Sequence, residues 1–238
     1  MVISDLDAVL AEARKRGAKA LDEPSGKRIL ASFGIDVPRS RVVRLDDEIG
    51  VAVSAMSPPF ALKVVAAGVV HKSDVGGVRL GLCTAEEIEG VIAGLRASLL
   101  EKGIEPAGWL IEEMVAGGVE VVVGGILDPE FGPMVMVGLG GVFVEVLKDV
   151  AFRICPITAL DAVEMVEELR GGPLLRGARG HRPVSIDALV DVMLRLGGEV
   201  GLLLACGDRV AEIDINPMIV TPDRACAVDA RFILREPA

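Results

Sequence analysis

A chain of 238 residues, 51% hydrophobic and 25% charged, has the balance of a packed globular protein of one large domain or two small ones. Its formal net charge of −10 argues against nucleic acid and anionic membrane as partners, since both attract a basic footprint. Aromatic residues make up 3%, with no tyrosine, so the core must be built from Val, Leu, Ile and Ala, and 28 glycines are more than turns alone require.

The opening MVISDLDAVLAEARKRG reads as an amphipathic helix over residues 4–17, with Ser4 as cap and Gly17 as stop, and it lacks the apolar run of a secretory signal. A second helix is expected over residues 25–33, ended by Gly34, before a strand in IDVPRSRVV. DDEIGVAVSAM reads as a helix closed by SPP, FALKVVA as a short buried strand, and GVRLGL as a strand of alternating character. TAEEIEGVIAGLRASLLEKG is strongly helical, with Thr84 and Glu87 at capping-box spacing. PAGWLIEEMV, GVEVVVGGILD and PMVMVGLGG follow as strands joined by glycine-containing turns, the pattern of an antiparallel sheet. TALDAVEMVEEL and SIDALVDVMLRLGGEV are helical, on either side of the loop RGGPLLRGARGHRP. VAEIDINPMIVTPDRACAVDARFIL closes the chain as two strands around a TPD turn.

This order predicts an α+β fold of two lobes, divided between residues 105 and 110. The longest uncharged run, FGPMVMVGLGGVFV, has 14 residues, and a membrane span takes roughly 18 or more. Cys83, Cys155, Cys206 and Cys226 show no CxxC spacing and read as reduced thiols of a cytoplasmic protein.

Four constellations carry chemistry. Lys63 lies in a strand whose neighbours are apolar, and a buried ammonium calls for an anion. A phosphate would serve, approached by the backbone N–H groups of Gly76 and Gly77; the alternative is a lysine snorkelling to the sheet edge. The spacing is not that of a P-loop. Between them stands HKSD, which sets His71, one of two histidines, beside Lys72 and Asp74. In WLIEEMVAGGVEVVVGG, Glu113 and Glu120 stand seven residues apart and suit an adenine edge and a ribose diol, or equally a solvated hairpin. Glu212, Asp214 and Asn216 alternate along a strand and share a face, with Asp229 on the next strand across a turn. Few, hard oxygen donors of this kind match magnesium; the alternative is an acidic solvent face. Arg153, Arg176, Arg179 and Arg182 form an anion-gripping or partner-gripping set, although a plain surface loop is the better reading of Arg176 and Arg182.

In this order, GKRILASFGIDVPRSRVV, ALKVVAAGVVHKSDVGGVRLGL, GVEVVVGGILDPEFGPMVMVGLGGVFVEVLKDVAFRICPI and AEIDINPMIV resemble the ATP-grasp fold of ADP-forming acyl-CoA synthetases. The closer resemblance is to the separate ATP-grasp (β) subunit of the acetate–CoA ligase (ADP-forming) type, over nearly the whole chain. It implies two α+β lobes with nucleotide between them: an N-terminal helix, residues 1–20, packed on the second lobe; a first subdomain, 21–108; and a second, 109–238. It implies Lys63, with Gly76 and Gly77, on the phosphates of ATP or ADP. Glu113, Met114 and Val115 would serve the adenine and Glu120 the ribose. Asn216 and Asp229, with Asp214 where many relatives carry glutamate, would hold Mg2+.

The family reaction interconverts acyl-CoA, ADP and phosphate with acid, CoA and ATP, through an acyl phosphate and a phosphohistidine. The main phosphohistidine belongs to a CoA-binding (α) subunit, the expected partner in a heterotetramer, and this chain carries no G-x-G-x-x-G segment of its own. His71 fits a second phosphoryl carrier, since a reference pKa of ~6.5 leaves an imidazole largely neutral at cellular pH. Lys72, Asp74 and Arg153 complete the expected catalytic set. The competing readings of His71 are a loop hydrogen bond or a partner contact; His181 has no such company. Two other functions compete: a stand-alone ATP-grasp carboxylate–amine ligase and a non-catalytic nucleotide-sensing subunit.

Overall fold

The computed structural model describes residues 2–44, 47–66, 69, 72–141, 144, 146–178 and 182–235. The chain forms two compact units, one joining Met1–Val37 to Ala116–Ala238 and the other holding Pro38–Val115.

The chain opens with α1 (Val2–Lys15) and α2 (Glu23–Ser32). Leu6, Val9, Leu10 and Ala13 recur at helical spacing and are all buried in the larger unit's core. Asp22 caps α2 by accepting from the Ser25 N–H at 2.8 Å, and Pro24 occupies the first turn, where its missing N–H costs nothing. The helix stops at Gly34, whose φ of +78° is one that side chains disfavour.

In the smaller unit, β1 (Ser40–Val43), α3 (Ile49–Val53), β2 (Phe60–Val65), β3 (Val78–Leu82), α4 (Ala85–Glu101) and β4 (Gly108–Glu113) follow in sequence. The strands form an antiparallel sheet in the order β1-β4-β2-β3. One face, with Phe60, Leu62, Val64, Trp109 and Ile111, packs on Ile88, Leu95 and Leu99 of α4. α3 is shorter than DDEIGVAVSAM predicts, since Gly50 and the β-branched valines disfavour extension. At α4, Thr84 Oγ1 accepts from the Glu87 N–H at 3.2 Å, but Glu87 reaches back to the Cys83 N–H, one residue before the expected capping box.

The larger unit continues with β5 (Val119–Asp128), β6 (Gly132–Leu139), β7 (Val150–Ile154), α5 (Ala159–Glu168), α6 (Ile186–Gly197), α7 (Leu202–Cys206), β8 (Val210–Val220), β9 (Ala225–Ala227) and β10 (Arg231–Leu234). Its antiparallel sheet runs β10-β8-β5-β6-β7, with β9 also on β8. Val121, Val123, Val135, Val137, Ile213 and Ile215 face the apolar stripes of α5, α6 and α7 in one core with α1 and α2. Gly125 permits this packing: a Cβ there would stand 2.4 Å from Leu203 Cδ1 and 2.7 Å from the Met134 carbonyl oxygen.

Three expectations need correction. β4 pairs with both β1 and β2, so it is central to the smaller sheet, and the division falls after Val115 rather than between 108 and 109. Residues 21–37 join the larger unit, because Leu21 donates to the Phe232 carbonyl at 3.0 Å and Ile29, Leu30 and Ile35 enter the larger core. The closing segment forms three strands rather than two, since the partner of β8 breaks between β9 and β10. Among the described residues no helix is long and apolar enough to cross a membrane.

All four cysteines are free, and only Cys83 is exposed. Burial pushes the Cys155 thiol up to about 11 and the Cys206 thiol up to about 12. Ellman's reagent at pH 8 is therefore expected to titrate one fast thiol in the native protein, lost in Cys83→Ser, and the remaining three only after unfolding. A second fast thiol in the native state would show that a buried cysteine is open to solvent.

Candidate functional site

In the smaller unit the face of the sheet opposite the apolar core carries a charge pair. Lys63 lies opposite Leu110 in the β2–β4 ladder and Glu112 opposite Ala61, so the two side chains are diagonal neighbours on one face. Their Nζ–Oε2 distance is 2.7 Å, and both side chains are buried, with 9% and 2% exposure. Lys63 has the anion its burial demands, and it is supplied by the protein. Sequence reasoning missed Glu112, because two adjacent acids end β4 and only the register shows which one shares the lysine's face. The available signal was the demand of Lys63 itself, together with period-two alternation in WLIEE.

The other acid has a different task. Glu113 Oε1 accepts from the Ser57 N–H at 2.8 Å, and its own N–H donates to the Arg39 carbonyl at 2.9 Å. The Met114 N–H donates to the Pro59 carbonyl at 2.9 Å and its sulfur accepts from the Gly81 N–H at 3.1 Å. Val115, half-buried, lies just beyond the end of β4 and is the last residue of this unit. The chain where the adenine edge was expected is thus held on both sides.

Gly76 and Gly77 do not offer their N–H groups to a phosphate. They donate to the Ser73 and Lys72 carbonyls at 2.9 and 2.7 Å and close the turn on itself. Gly76 has φ +73°, and a Cβ on Gly77 would stand 2.4 Å from Val64 Cγ1, so the glycine pair serves turn geometry and close packing on β2. The turn is tied further by Lys102, which donates to the Val75 carbonyl at 2.8 Å. Lys72 is half-buried and Asp74 exposed. His71, with Arg179 and His181, lies outside the described residues.

In the larger unit the sheet face opposite the helices carries the expected acids. Glu212 and Asp214 are half-buried and Asn216 exposed, while Ile213 and Ile215 point into the core. Ladder partners cross the sheet in rows. Asp214 stands beside Gly124, Gly124 beside Met136 and Met136 beside Phe152; Glu212, Ile126, Met134 and Ile154 form the next row. The face is acidic at β8, bare at Gly124 and apolar at β6 and β7. Glu120 is exposed at the start of β5.

Asn216 and Pro217 form a bulge, since Val121 pairs with Met218 but Val123 with Ile215. On the other side of β8, Met218 pairs with Ala227 and Asp214 with Arg231, so residues 228–230 lie opposite the bulge. Asp229 is therefore in the connection between two strands, not on a strand as expected, and it faces the stretch of β8 that holds Asn216. Its Oδ1 accepts from the Ala230 N–H at 2.8 Å. Asp214 Oδ2 lies 3.5 Å from Arg231 Nη2, a guanidinium that also pairs with Glu212.

Two carboxylates and one amide, all oxygen donors, fit a magnesium ion, which takes few protein ligands and keeps waters or phosphate oxygens for the rest. Among the described residues no three of His, Cys, Asp and Glu gather as a cation site.

Arg153 needs correction. From β7 it donates through Nη1 to Glu168 Oε2 at 3.2 Å, binds Glu168 Oε1 through Nη2, and lies 4.0 Å from Glu164. The hydrogen bonds to Glu168 raise the guanidinium's pKa further and lower that of the carboxylate. The arginine clamps α5 to the edge strand instead of offering its charge to an anion. Arg176 is similarly engaged, with Glu167 at 2.9 Å; Arg182 is exposed.

A family model described as an ATP-grasp domain matches residues 12–234. The chain is 43% identical over 225 residues to the acetate–CoA ligase [ADP-forming] I subunit beta of Pyrococcus furiosus, covering 94% of this chain and 95% of that one. It superposes with a TM-score of 0.90 and 39% identity on the dinucleotide-forming acetyl-coenzyme A synthetase 1 of Ca. Korarchaeum cryptofilum, solved with coenzyme A and Ca-AMPCP, over 96% of this chain and 99% of that one. A further structure of that enzyme, with coenzyme A and Mg-AMPPCP, has its phosphohistidine segment pointing towards the nucleotide binding site; the match has a TM-score of 0.82 and 38% identity over 96% and 99% of the two chains.

Removing one member of the Lys63–Glu112 pair leaves the other charge buried. Lys63→Met is expected to destabilise the protein by about 3–5 kcal/mol in urea unfolding. Lys63→Met with Glu112→Leu should recover most of that loss. Single-variant stability within about 1 kcal/mol of wild type would show that the pair is energetically a surface pair.

Proposed function

The chain belongs to the ATP-grasp domain family, and on that premise we propose that it is the nucleotide-handling subunit of an ADP-forming acyl-CoA synthetase of the acetate–CoA ligase type. The observation that carries the proposal is the row Asp214–Gly124–Met136–Phe152 across the larger sheet. Its acidic end suits a cation with the phosphates, and its apolar end suits a flat base. Lys63, steadied by Glu112, is assigned to the phosphates; the main chain of Glu113–Val115 to the adenine edge; and the Glu120 carboxylate to the ribose hydroxyls. Asp229 and Asn216, with Asp214 shared with Arg231, would hold Mg2+. When bound, the ion neutralises charge on the transferring phosphoryl group.

In the complete reaction, phosphate displaces CoA from acyl-CoA to give an acyl phosphate. A histidine of the partner takes the phosphoryl group and releases the acid. The terminal oxygen of ADP finally attacks the phosphorus of a phosphohistidine, the N–P bond breaks, and ATP and a neutral histidine result. The last step belongs to this chain. The partner is a CoA-binding (α) subunit, in a heterotetramer, and the four free cysteines accord with a cytoplasmic enzyme. The sequence company of His71, with Lys72 and Asp74, supports its assignment as a second phosphoryl carrier, receiving the group from the partner's histidine and passing it to ADP.

The test adds ADP, phosphate and acetyl-CoA to the purified chain with and without a CoA-binding subunit. ATP formation is expected only with both. Turnover by this chain alone would overturn the half-enzyme reading. Asn216→Ala should remove Mg2+-dependent turnover with the melting temperature unchanged; retained turnover would remove Asn216 from the cation site. With γ-labelled ATP in the complex, acid-labile, base-stable label on this chain is expected and should vanish in His71→Ala; its absence would eliminate the second carrier.

A further inference from the structure

The larger unit buries a lysine–glutamate pair of its own. Glu23 and Lys27 stand one helical turn apart on α2, with Oε1 and Nζ 2.8 Å apart and side-chain exposures of only 1% and 4%. Stability alone does not account for them, because an apolar pair of similar volume at a buried site is commonly no less stable. Lys27 has a further contact with a site consequence: its Nζ donates at 2.8 Å to the carbonyl of Val228, 201 residues away and immediately before Asp229.

The Val228 carbonyl lies where the sheet offers little restraint. Residues 228–230 fall between the β8 pairings of β9 and β10, outside both ladders. The Val228 N–H donates to the Pro217 carbonyl at 3.1 Å, so Lys27 grips the other end of the same residue. A carbonyl oxygen is coplanar with the following N–H and Cα. Fixing it fixes the peptide plane from which Asp229 departs, and with it the N and Cα on which the carboxylate is mounted. α2 can approach closely because Gly26 has no side chain: a Cβ there would stand 3.0 Å from Phe232 Cδ2 and 3.4 Å from the Ala230 carbonyl oxygen.

We propose that Glu23 and Lys27 are positioning residues that hold Asp229 in place for the divalent cation. Glu23 neutralises the ammonium and aims it; Lys27 sets the Val228–Asp229 peptide. The inference rests on the assignment of Asp229 to the cation and extends the site to a helix at the opposite end of the sequence.

Mn2+ binding to the full chain with ADP, followed by electron paramagnetic resonance of the free ion, tests it without turnover. Lys27→Met alone strands a buried carboxylate and can unfold the protein, so the informative variant is Glu23→Leu with Lys27→Met. Its melting temperature should stay near that of wild type while Mn2+ affinity falls about 10- to 100-fold, the usual cost of losing a group that orients a metal ligand. Lys27→Arg, which keeps a donor, should recover part of the affinity. Asp229→Asn, in parallel, should lose Mn2+ binding outright. If Asp229→Asn binds Mn2+ normally, the cation assignment itself fails. If Asp229→Asn loses binding but the folded double variant keeps wild-type affinity, the positioning role alone is overturned.

Discussion

Two residues of β8, Asn216 and Pro217, stand opposite a single residue of β5, and much of the larger unit follows from that mismatch. The extra residue changes the alternation of the strand. Before it, Ile213 and Ile215 enter the core; after it, Met218 and Val220 do, and Asn216 is left projecting on the acidic face. Proline has no N–H to give the ladder, so the irregularity falls where a ladder bond is already missing. The strand on the other side breaks at the same level, between Ala227 and Arg231, and the break delivers Asp229. One irregularity thus sets Asn216 and Asp229 at the same level of the sheet.

Each unit also buries a lysine with a glutamate, at 2.7 Å in the smaller and 2.8 Å in the larger. Both pairs are almost wholly shielded from water, with side-chain exposures of 9% or less. A pair in such a place is a directional element more than a source of stability. It fixes where a long, otherwise flexible side chain ends, and it limits what else that side chain can approach.

Much of this was legible in the sequence, for identifiable reasons. α4, α5 and α6 repeat their apolar residues every three or four positions and carry Thr or Ser caps, so local pattern sufficed; α1 shows the same repeat but starts at Val2, which puts Ser4 inside the helix instead of at its cap. β7 was not legible, because VAFRI is a short edge strand interrupted by an arginine whose counter-charge lies on α5. α7 has only five residues, too few to show a period. The roles of Glu112, Gly76 and Gly77 depend on register and close approach between strands, which no local pattern encodes. The acidic face was legible because Glu212, Asp214 and Asn216 are spaced by two on one strand. The place of Asp229 was not, since it depends on a break in the neighbouring strand.

The larger unit is discontinuous in the chain, with residues 38–115 set between its two parts. On a ribosome the smaller sheet has all its strands before any strand of the larger sheet has been made. The stripe Leu6–Val9–Leu10–Ala13 of α1 and the charge pair of α2 meanwhile lack their own sheet. The 201 residues between Lys27 and Val228 take on the order of 10–40 s to synthesise at roughly 5–20 residues per second. For that interval the apolar residues of α1 and α2 have no sheet to be buried against, and it is the emergence of the last strands that closes the unit.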